Sequence, residues 1–304
     1  MEVVVSHVVV VGLGNMGGGL AARLAGRGIP TVGVDLDASA RERAQSEGVS
    51  VTASLQEAVP GARAVLTSLP NGPIVHAVWM TPGGLIDLSD VSTILIEMST
   101  VDPQTMTTVA SAAAAKGVST LDCPVSGGPN EARAGTLSLL VGGSDDVIAD
   151  VEEILDCLGT RHHVGAVGDG KVVKIVNNMM SMGNIVIAAE AFAIGRAAGV
   201  DPQRLFDVLS VSGGTSNQFR KRFPRVLAGD FEPGFTVELA EKDMSLAQDL
   251  ARSMGIPAPA ASTVHDMYAV AMAEGLTAKD HVAVLRLYES WSEGRGATSR
   301  PSAG

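Results

Sequence analysis

Lys174 and Asn178 have the residue types and spacing for acid–base chemistry. They are four residues apart, so on a helix they lie one turn apart on the same face. Lys174 would lie near the start of this helix, where the dipole disfavours a cation, and Lys171 adds a like charge. The apolar residues on either side of Lys174, at 172–173 and 175–176, predict dry surroundings, and all three effects lower the pKa of a lysine. We predict that Lys174 is catalytic and that Asn178 supports it, the alternative being an ordinary solvated pair.

A Ser-Gly-Gly turn is a candidate anion site. The stretch DCPVSGGPNEARAGTL places Ser126, Gly127 and Gly128 between the end of a strand and a short helix. Backbone amides at such a joint can point outward, and those at a helix start attract negative charge. We expect this turn to bind the carboxylate of a small substrate.

An earlier glycine-rich turn has the pattern of a dinucleotide site. Gly12, Gly14 and Gly17 form GxGxxG after a valine run and before an alanine-rich segment. These glycines allow a tight turn, close approach of a pyrophosphate and close packing of helix on strand. Asp35 follows about 20 residues later, where a carboxylate accepts hydrogen bonds from the adenine ribose. This charge would repel the extra phosphate of NADP, and no arginine follows it directly, so we predict NAD.

Two kinds of domain must position these residues. Runs rich in β-branched residues alternate with helical stretches, and they lie at 8–12, 31–35, 64–70, 93–99, 118–124 and 137–143. This alternation predicts an α/β domain with a doubly wound, mostly parallel sheet and helices on both faces. A long apolar helix follows, from about 171 to 198, and the remaining segments are helical. We predict an NAD-binding domain over 1–165, an all-helical domain over 166–293 and a flexible tail over 294–304.

Composition limits the class of protein. The chain has 304 residues, is 46% hydrophobic and has a formal net charge of -11, whereas a nucleic-acid-binding surface would be basic. Its two cysteines are too few for a disulfide framework and suit a reducing compartment. The first residues lack the basic segment of a signal peptide, and polar residues in the long helix argue against a membrane span. We expect a cytoplasmic protein with neither a nucleic-acid nor a membrane partner.

Four segments in order resemble the β-hydroxyacid dehydrogenase family, whose members include 3-hydroxyisobutyrate dehydrogenase and tartronate semialdehyde reductase. The segments are VVGLGNMGGGLAARL, DCPVSGGPNEARAGTL, GAVGDGKVVKIVNN and FTVELAEKDMSLA. The resemblance extends to about Trp291. It implies a Rossmann domain joined through a long helix to an all-α domain, and homodimers or homotetramers built through that α domain.

The resemblance also implies roles for single residues. Lys174 matches the family's catalytic lysine, which handles the proton of the substrate oxygen, and Asn178 matches the asparagine that supports it. The turn at 126–128 matches the substrate carboxylate site. Lys242 matches a lysine beside substrate and nicotinamide, although its spacing from Glu238 alone would indicate a surface ion pair. The implied cofactor-binding residues are Gly12, Leu13, Gly14, Asn15, Met16, Gly17, Asp35, Leu69, Pro70, Thr100 and Lys242.

Together these residues predict reversible hydride transfer between NAD and a small, 3-hydroxyisobutyrate-like 3-hydroxy acid, giving the semialdehyde. One alternative is a reductase of another small aldehyde or imine on the same scaffold, and another is a non-catalytic NAD-binding module. Lys174 favours alcohol or aldehyde chemistry. We expect no metal site, because His162 and His163 are adjacent on a strand and point to opposite faces. Cys123 has no histidine near it in sequence, so we expect a small buried residue rather than a nucleophile.

Overall fold

The computed structural model describes residues 7–293. The chain divides between Ile175 and Val176 into two compact units, whereas the sequence analysis placed the division between residues 165 and 166. The predicted tail at 294–304 lies outside the described residues.

The first unit is built on a single sheet. Within residues 7–293 the sheet has nine strands in the order β3-β2-β1-β4-β5-β6-β8-β7, and β9 also pairs with β8. Pairing is parallel except where β8 meets β6 and β7. The strands are β1 (His7–Val11), β2 (Thr31–Val34), β3 (Ser50–Thr52), β4 (Ala62–Thr67), β5 (Ile94–Glu97), β6 (Ser119–Asp122), β7 (Val125–Ser126), β8 (Leu137–Gly142) and β9 (Gly159–Gly165).

Helices cover both faces of this sheet because alternate side chains of a strand point to opposite faces. Val8 and Val10 of β1 pack in one core with residues of α1, α2 and α9, and Val9 and Val11 pack in another with residues of α4, α5 and α6. The helices are α1 (Asn15–Gly26), α2 (Ala38–Ser46), α3 (Leu55–Ala58), α4 (Gly72–Met80), α5 (Leu85–Leu88), α6 (Pro103–Ala114), α7 (Pro129–Ala134), α8 (Asp145–Asp150) and α9 (Glu152–Leu158). This architecture confirms the predicted doubly wound α/β fold.

The second unit is helical. The long helix α10 (Asp169–Ala197) runs from the first unit into it, and four phenylalanines of α10, α11 and α12 pack with ring centroids 4.4 to 6.4 Å apart. The further helices are α11 (Pro202–Val211), α12 (Asn217–Leu227), α13 (Val237–Ser253), α14 (Pro259–Ala273), a 3-10 turn (His281–Val284) and α15 (Leu285–Glu293). The predicted helical character of this part of the chain is confirmed.

A buried carboxylate joins α12 to the 3-10 turn in the second unit. Asp280 Oδ2 accepts hydrogen bonds from Arg222 Nη1 at 2.8 Å, from Arg225 Nη1 at 3.3 Å, and from the backbone N–H groups of Gly234 and Phe235. Asp280 Oδ1 accepts from the N–H of Val282. One side chain therefore holds a helix, a loop and a turn together.

Among the described residues, α10 is the one helix long and apolar enough to cross a membrane by length and composition. Core helices of soluble proteins meet the same criteria. The absence of a membrane partner therefore stays a prediction.

Candidate active site

The cofactor turn joins β1 to α1. Gly12 has φ +90°, a conformation that favours glycine, and a methyl group at Gly17 would lie 1.8 Å from the Gly12 carbonyl oxygen. Gly14 has no atom within 4 Å of where a Cβ would be, and no side chain caps α1. The turn therefore leaves open space and helix N–H groups for an anion, which fits a dinucleotide pyrophosphate.

Asp35 lies beside this turn, at the end of β2. Its Oδ2 accepts from the N–H of Leu13 at 2.7 Å, and its Oδ1 accepts from the N–H of Asp37 at 2.9 Å. These bonds fix a carboxylate at the edge of the turn, where the ribose of a bound dinucleotide would lie. Arg41 is close by, since its Nη1 donates to the backbone oxygens of Asp35 and Leu36.

The other residues assigned to the cofactor lie at the carboxyl ends of neighbouring parallel strands. Leu69 and Pro70 follow β4, and Thr100 follows β5. The N–H of Leu69 donates to Ser99 Oγ at 2.8 Å, which ties these two loops together. Ligands of doubly wound sheets bind at this edge.

The Ser-Gly-Gly turn lies between β7 and α7. Gly127 has φ +133°, and the N–H of Gly128 donates to Glu131 Oε2 at 2.9 Å. This N–H is therefore satisfied within the turn by a carboxylate. Ser126 is half-buried and Gly127 is exposed, so the Ser126 hydroxyl and the Gly127 backbone are the groups of this turn from which an anion site could be built.

Lys174 and Asn178 lie on α10, one turn apart. Lys174 is half-buried, and Val173 and Val176 beside it are 37% and 47% exposed. The dry surroundings that the sequence predicted for Lys174 are therefore not seen. The like charge predicted beside it also lies elsewhere, because Lys171 turns inward.

Asn178 is oriented by a carboxylate that the sequence analysis missed. Its Nδ2 donates to Asp243 Oδ2 at 2.6 Å, and its Oδ1 accepts from Asn177 Nδ2 at 3.1 Å. Asp243 is buried on α13, and its Oδ1 lies 3.2 Å from the ammonium of Lys242. Asp243 thus connects two of the residues that the family resemblance assigned to the site.

Lys171, for which the sequence predicted only a like charge beside Lys174, is buried in the first unit. Its side chain is 0% exposed, and its ammonium donates to the backbone oxygens of Glu97 at 2.7 Å and Ser99 at 3.0 Å. The Glu97 carboxylate accepts from the N–H of Ser99 at 2.7 Å. The signal available in the sequence was a charged residue inside each of two apolar runs, Glu97 in ILIEMS and Lys171 in GKVV.

Asp122 binds a backbone N–H group in the first turn of α10. Its Oδ2 accepts from the N–H of Lys171 at 2.9 Å, and Oδ1 has no hydrogen-bond partner among the described residues. A methyl group at Gly142 would lie 2.0 Å from Oδ1. Burial raises the pKa of Asp122, and the nearby charge of Lys171 offsets only part of this effect.

Cys123 is fully buried next to this network, and burial raises the pKa of its thiol to about 12. It is therefore a thiol at neutral pH and not a nucleophile. In residues 7–293 no group of three or more His, Cys, Asp or Glu side chains is arranged to hold a metal ion.

Two family models cover most of the chain. A model of the NAD binding domain of 6-phosphogluconate dehydrogenase matches residues 7–173. A second, described as the NAD-binding of NADP-dependent 3-hydroxyisobutyrate dehydrogenase, matches residues 168–288.

Individual relatives match along nearly the whole chain. The 2-(hydroxymethyl)glutarate dehydrogenase of Eubacterium barkeri is 32% identical over 92% of this chain and 93% of its own length. The mitochondrial 3-hydroxyisobutyrate dehydrogenase of Homo sapiens is 33% identical over 91% of this chain and 84% of its own. The 3-hydroxyisobutyrate dehydrogenase of Mycobacterium tuberculosis, solved with L-serine, is 32% identical over 93% of this chain and 98% of that one, with a TM-score of 0.85. The predicted resemblance is confirmed, and the chain belongs to the β-hydroxyacid dehydrogenase family of NAD(P)-dependent oxidoreductases.

Proposed function

We propose that the protein is an NAD-dependent dehydrogenase that reversibly converts a small, 3-hydroxyisobutyrate-like 3-hydroxy acid into its semialdehyde. The observation that carries this proposal is the placement of Lys174 and Asn178 one turn apart on α10. That helix starts at the carboxyl edge of the sheet, where Asp122 accepts the N–H of Lys171.

The relatives support this class of substrate. One chemical unit is common to three molecules: 3-hydroxyisobutyrate and 2-(hydroxymethyl)glutarate, after which two relatives are named, and the L-serine of the M. tuberculosis structure. In each, a CH2OH group is attached to a carbon that also carries a carboxylate. A site that binds the carboxylate and removes the proton of the hydroxyl would accept this unit whatever further group that carbon carries.

In this proposal the Ser126 hydroxyl and the Gly127 N–H hold the carboxylate. Gly128 forms the turn, because its own N–H is bound to Glu131. Lys242 is the further residue that the family resemblance assigns to substrate and nicotinamide. NAD, held by the turn after β1 and by Asp35, would supply the hydride acceptor for the oxidation and the hydride donor for the reverse reaction.

In the oxidation direction the neutral amine of Lys174 takes up the hydroxyl proton and becomes an ammonium, and in the reduction direction this ammonium returns the proton to the substrate oxygen. Asn178 supports it by accepting a hydrogen bond from the ammonium. Asp243 fixes the Asn178 amide by binding Nδ2 at 2.6 Å, which leaves Oδ1 as the acceptor, and an amide oxygen can accept two hydrogen bonds. Fixing this geometry before the reaction is what lowers the barrier.

The preference for NAD rests on Asp35. Its carboxylate is fixed beside the turn, so the 2′-phosphate of NADP would meet a negative charge. We expect a higher kcat/KM with NAD than with NADP. In Asp35→Ser this preference should weaken or reverse, because Arg41 would then face the 2′-phosphate with no carboxylate between them. A wild type that binds NADPH more tightly than NADH would contradict the assignment.

We also propose that the protein forms a homodimer or homotetramer through the helical unit. Met180, Ile187 and Ile194 are 65%, 61% and 63% exposed, and their seven-residue spacing places them on one face of α10. Exposed apolar stripes of this kind are typical of interfaces between chains. Sedimentation of the wild type and of Ile187→Lys tests this, and a monomeric wild type would contradict it.

The function is tested by NAD reduction over a panel of 3-hydroxy acids with and without 2-substituents. We expect turnover by the wild type and a fall in kcat of about 10²- to 10⁴-fold in Lys174→Met, with NADH binding retained. Lys116→Met, which removes a surface lysine paired with Asp87, is the matched control. A Lys174→Met enzyme with most of its activity would rule out this mechanism. A wild type inactive on the whole panel would favour the other-aldehyde, imine or binding-module alternatives.

A further inference from the structure

Lys171 is a buried cation that the proposed reaction does not use. A lysine side chain that is 0% exposed needs compensating partners, because removing an ammonium from water is costly. This ammonium bonds to the backbone oxygens of Glu97 and Ser99, and no carboxylate within residues 7–293 forms an ion pair with it. Both partners are therefore main-chain oxygens at the end of β5.

The bonds of Lys171 reach the ends of three strands of the first unit, β4, β5 and β6, next to which residues of the site lie. Its ammonium holds the end of β5, directly before Thr100. Through Ser99 Oγ this segment holds the N–H of Leu69, after β4. The N–H of Lys171 is bound by Asp122, at the end of β6 and four residues before Ser126. Lys174 follows Lys171 by one turn of α10.

Two roles would explain a lysine here, and they differ in what they predict. Lys171 could only neutralise Glu97 and Asp122, two carboxylates that are each 0% exposed. Alternatively, its directed bonds to two carbonyl oxygens hold the loops in place. The first role depends on charge alone, whereas the second depends on the ammonium as a donor.

We propose that Lys171 is a positioning residue that sets the loops at the ends of β4, β5 and β6 relative to Lys174 on α10. The proposal rests on the proposed function, since it concerns how that site is aligned. Misplacement of reacting groups by about 1 Å can cost about 10²-fold in rate. Loss of the two bonds from the ammonium is therefore expected to slow the reaction although Lys171 touches no reacting atom.

The test uses two variants that separate donor from charge. Lys171→Met removes the ammonium and leaves two carboxylates, and Lys171→Met combined with Asp122→Asn also removes one negative charge. We expect kcat to fall about 10²-fold in both, with a smaller change in the KM for the acid, while the double variant recovers thermal stability. The double variant also serves if Lys171→Met does not fold. Lys116→Met is the surface control and should match the wild type.

Hydrogen exchange gives a readout that needs no substrate. The N–H groups of Leu69 and Ser99 should exchange about tenfold faster in the double variant, while those of β1 stay protected. A double variant with wild-type kcat, or with unchanged exchange at these amides, overturns the proposal. If the wild type turns over no hydroxy acid, the proposed function fails, and the exchange experiment still decides whether Lys171 orders these loops.

Discussion

Asp122 in the first unit and Asp280 in the second are both 0% exposed, yet their pKa values move in opposite directions. Burial raises the pKa of Asp122, and Lys171 offsets only part of the rise. Burial alone would also raise the pKa of Asp280, but the hydrogen bonds and charges of His281, Arg222 and the Gly234 N–H outweigh it and lower the pKa. Burial therefore does not decide the protonation of a carboxyl group by itself.

The kind of donor explains the difference. Asp280 is surrounded by the His281 ring, two arginines and three backbone N–H groups. Asp122 is approached by backbone N–H groups, chiefly that of Lys171, and in the described part of the chain no arginine or histidine pairs with its carboxylate. The charged form of Asp280 is therefore favoured by folding, whereas that of Asp122 is disfavoured. Asp122 is thus a buried carboxylate without a charged hydrogen-bonding partner, bound to the first turn of α10 next to the site, and such a local cost is typical of functional sites.

The largest expected effect is on Asp280, the carboxylate that is paired with arginines. Asp280→Asn should lower the free energy of unfolding of the second unit by about 3 kcal/mol or more, because Arg222 and Arg225 lose a buried partner. Asp230→Asn is the matched control, because Asp230 pairs with Arg225 but is 43% exposed, and it should cost about 1 kcal/mol or less. Urea unfolding followed by Trp291 fluorescence in Trp79→Phe reports on the second unit alone. Equal losses in both variants would refute the role given to the donors.

The next effect is on the pH dependence of stability. Because folding lowers the pKa of Asp280, its carboxylate stabilises the fold at every pH above its pKa in the unfolded chain, about 3.9. This contribution is lost as the pH falls towards the pKa of Asp280 in the folded protein. In that window the wild-type free energy of unfolding should fall by about 1.4 kcal/mol per pH unit on account of this one group. Asp280→Asn should show a correspondingly shallower slope below pH 4 by the same fluorescence probe. An unchanged slope would mean that another group carries the acid sensitivity.

Asp122→Asn should act with the opposite sign. Because folding raises the pKa of Asp122, this group lowers the free energy of unfolding as the pH rises from its pKa in the unfolded chain to its pKa in the folded protein. Removing the charge should therefore steepen the loss of stability of the first unit on acidification just above pH 4. Trp79, buried in this unit, reports the transition in Trp291→Phe. A slope that changes in the same direction as in Asp280→Asn would show that the two carboxylates do not differ as described.

The smallest effect is expected on stability at neutral pH. In Asp122→Asn the amide oxygen can still accept the N–H of Lys171, and the relief of burying a charge offsets the lost attraction to Lys171. We expect a change of about 1 kcal/mol or less in urea unfolding of the first unit. A loss as large as that of Asp280→Asn would place Asp122 among the main stabilising charges.

Local patterns predicted most of the sheet. The runs of β-branched residues correspond to β1, β2, β4, β5, β6 and β8, and the long helix begins at Asp169 rather than at Lys171. The strands outside those runs, β3, β7 and β9, are short or polar. All seven residues of β9, GTRHHVG, are exposed or half-exposed. Because none of them lies in the core, the segment lacks the apolar run by which the other strands were predicted.

The site was predictable only as far as spacing along one helix. Lys174 and Asn178 share a face because of their separation, which needs no tertiary information. The partners of Lys171 and Asn178 come from far away in sequence, at separations of 49 residues to Asp122, 74 to Glu97 and, for Asn178, 65 to Asp243. Spacing cannot show that Lys171 turns inward to meet such partners, so the sequence analysis treated it as a second charge on the helix surface.

The continuity of α10 limits how this protein can be recombined with its relatives. Lys174 lies on one side of the division between Ile175 and Val176, and Asn178 lies on the other. A chimaera joined at that division would take the lysine from one parent, and from the other both the asparagine and the Asp243 that orients it. A junction before Asp169 would keep both residues with one parent but would part Lys171 from Glu97 and Asp122. Recombination with a relative is therefore better replaced by single substitutions, with the segment from Asp169 to Asn178 left intact together with its partners Glu97, Asp122 and Asp243.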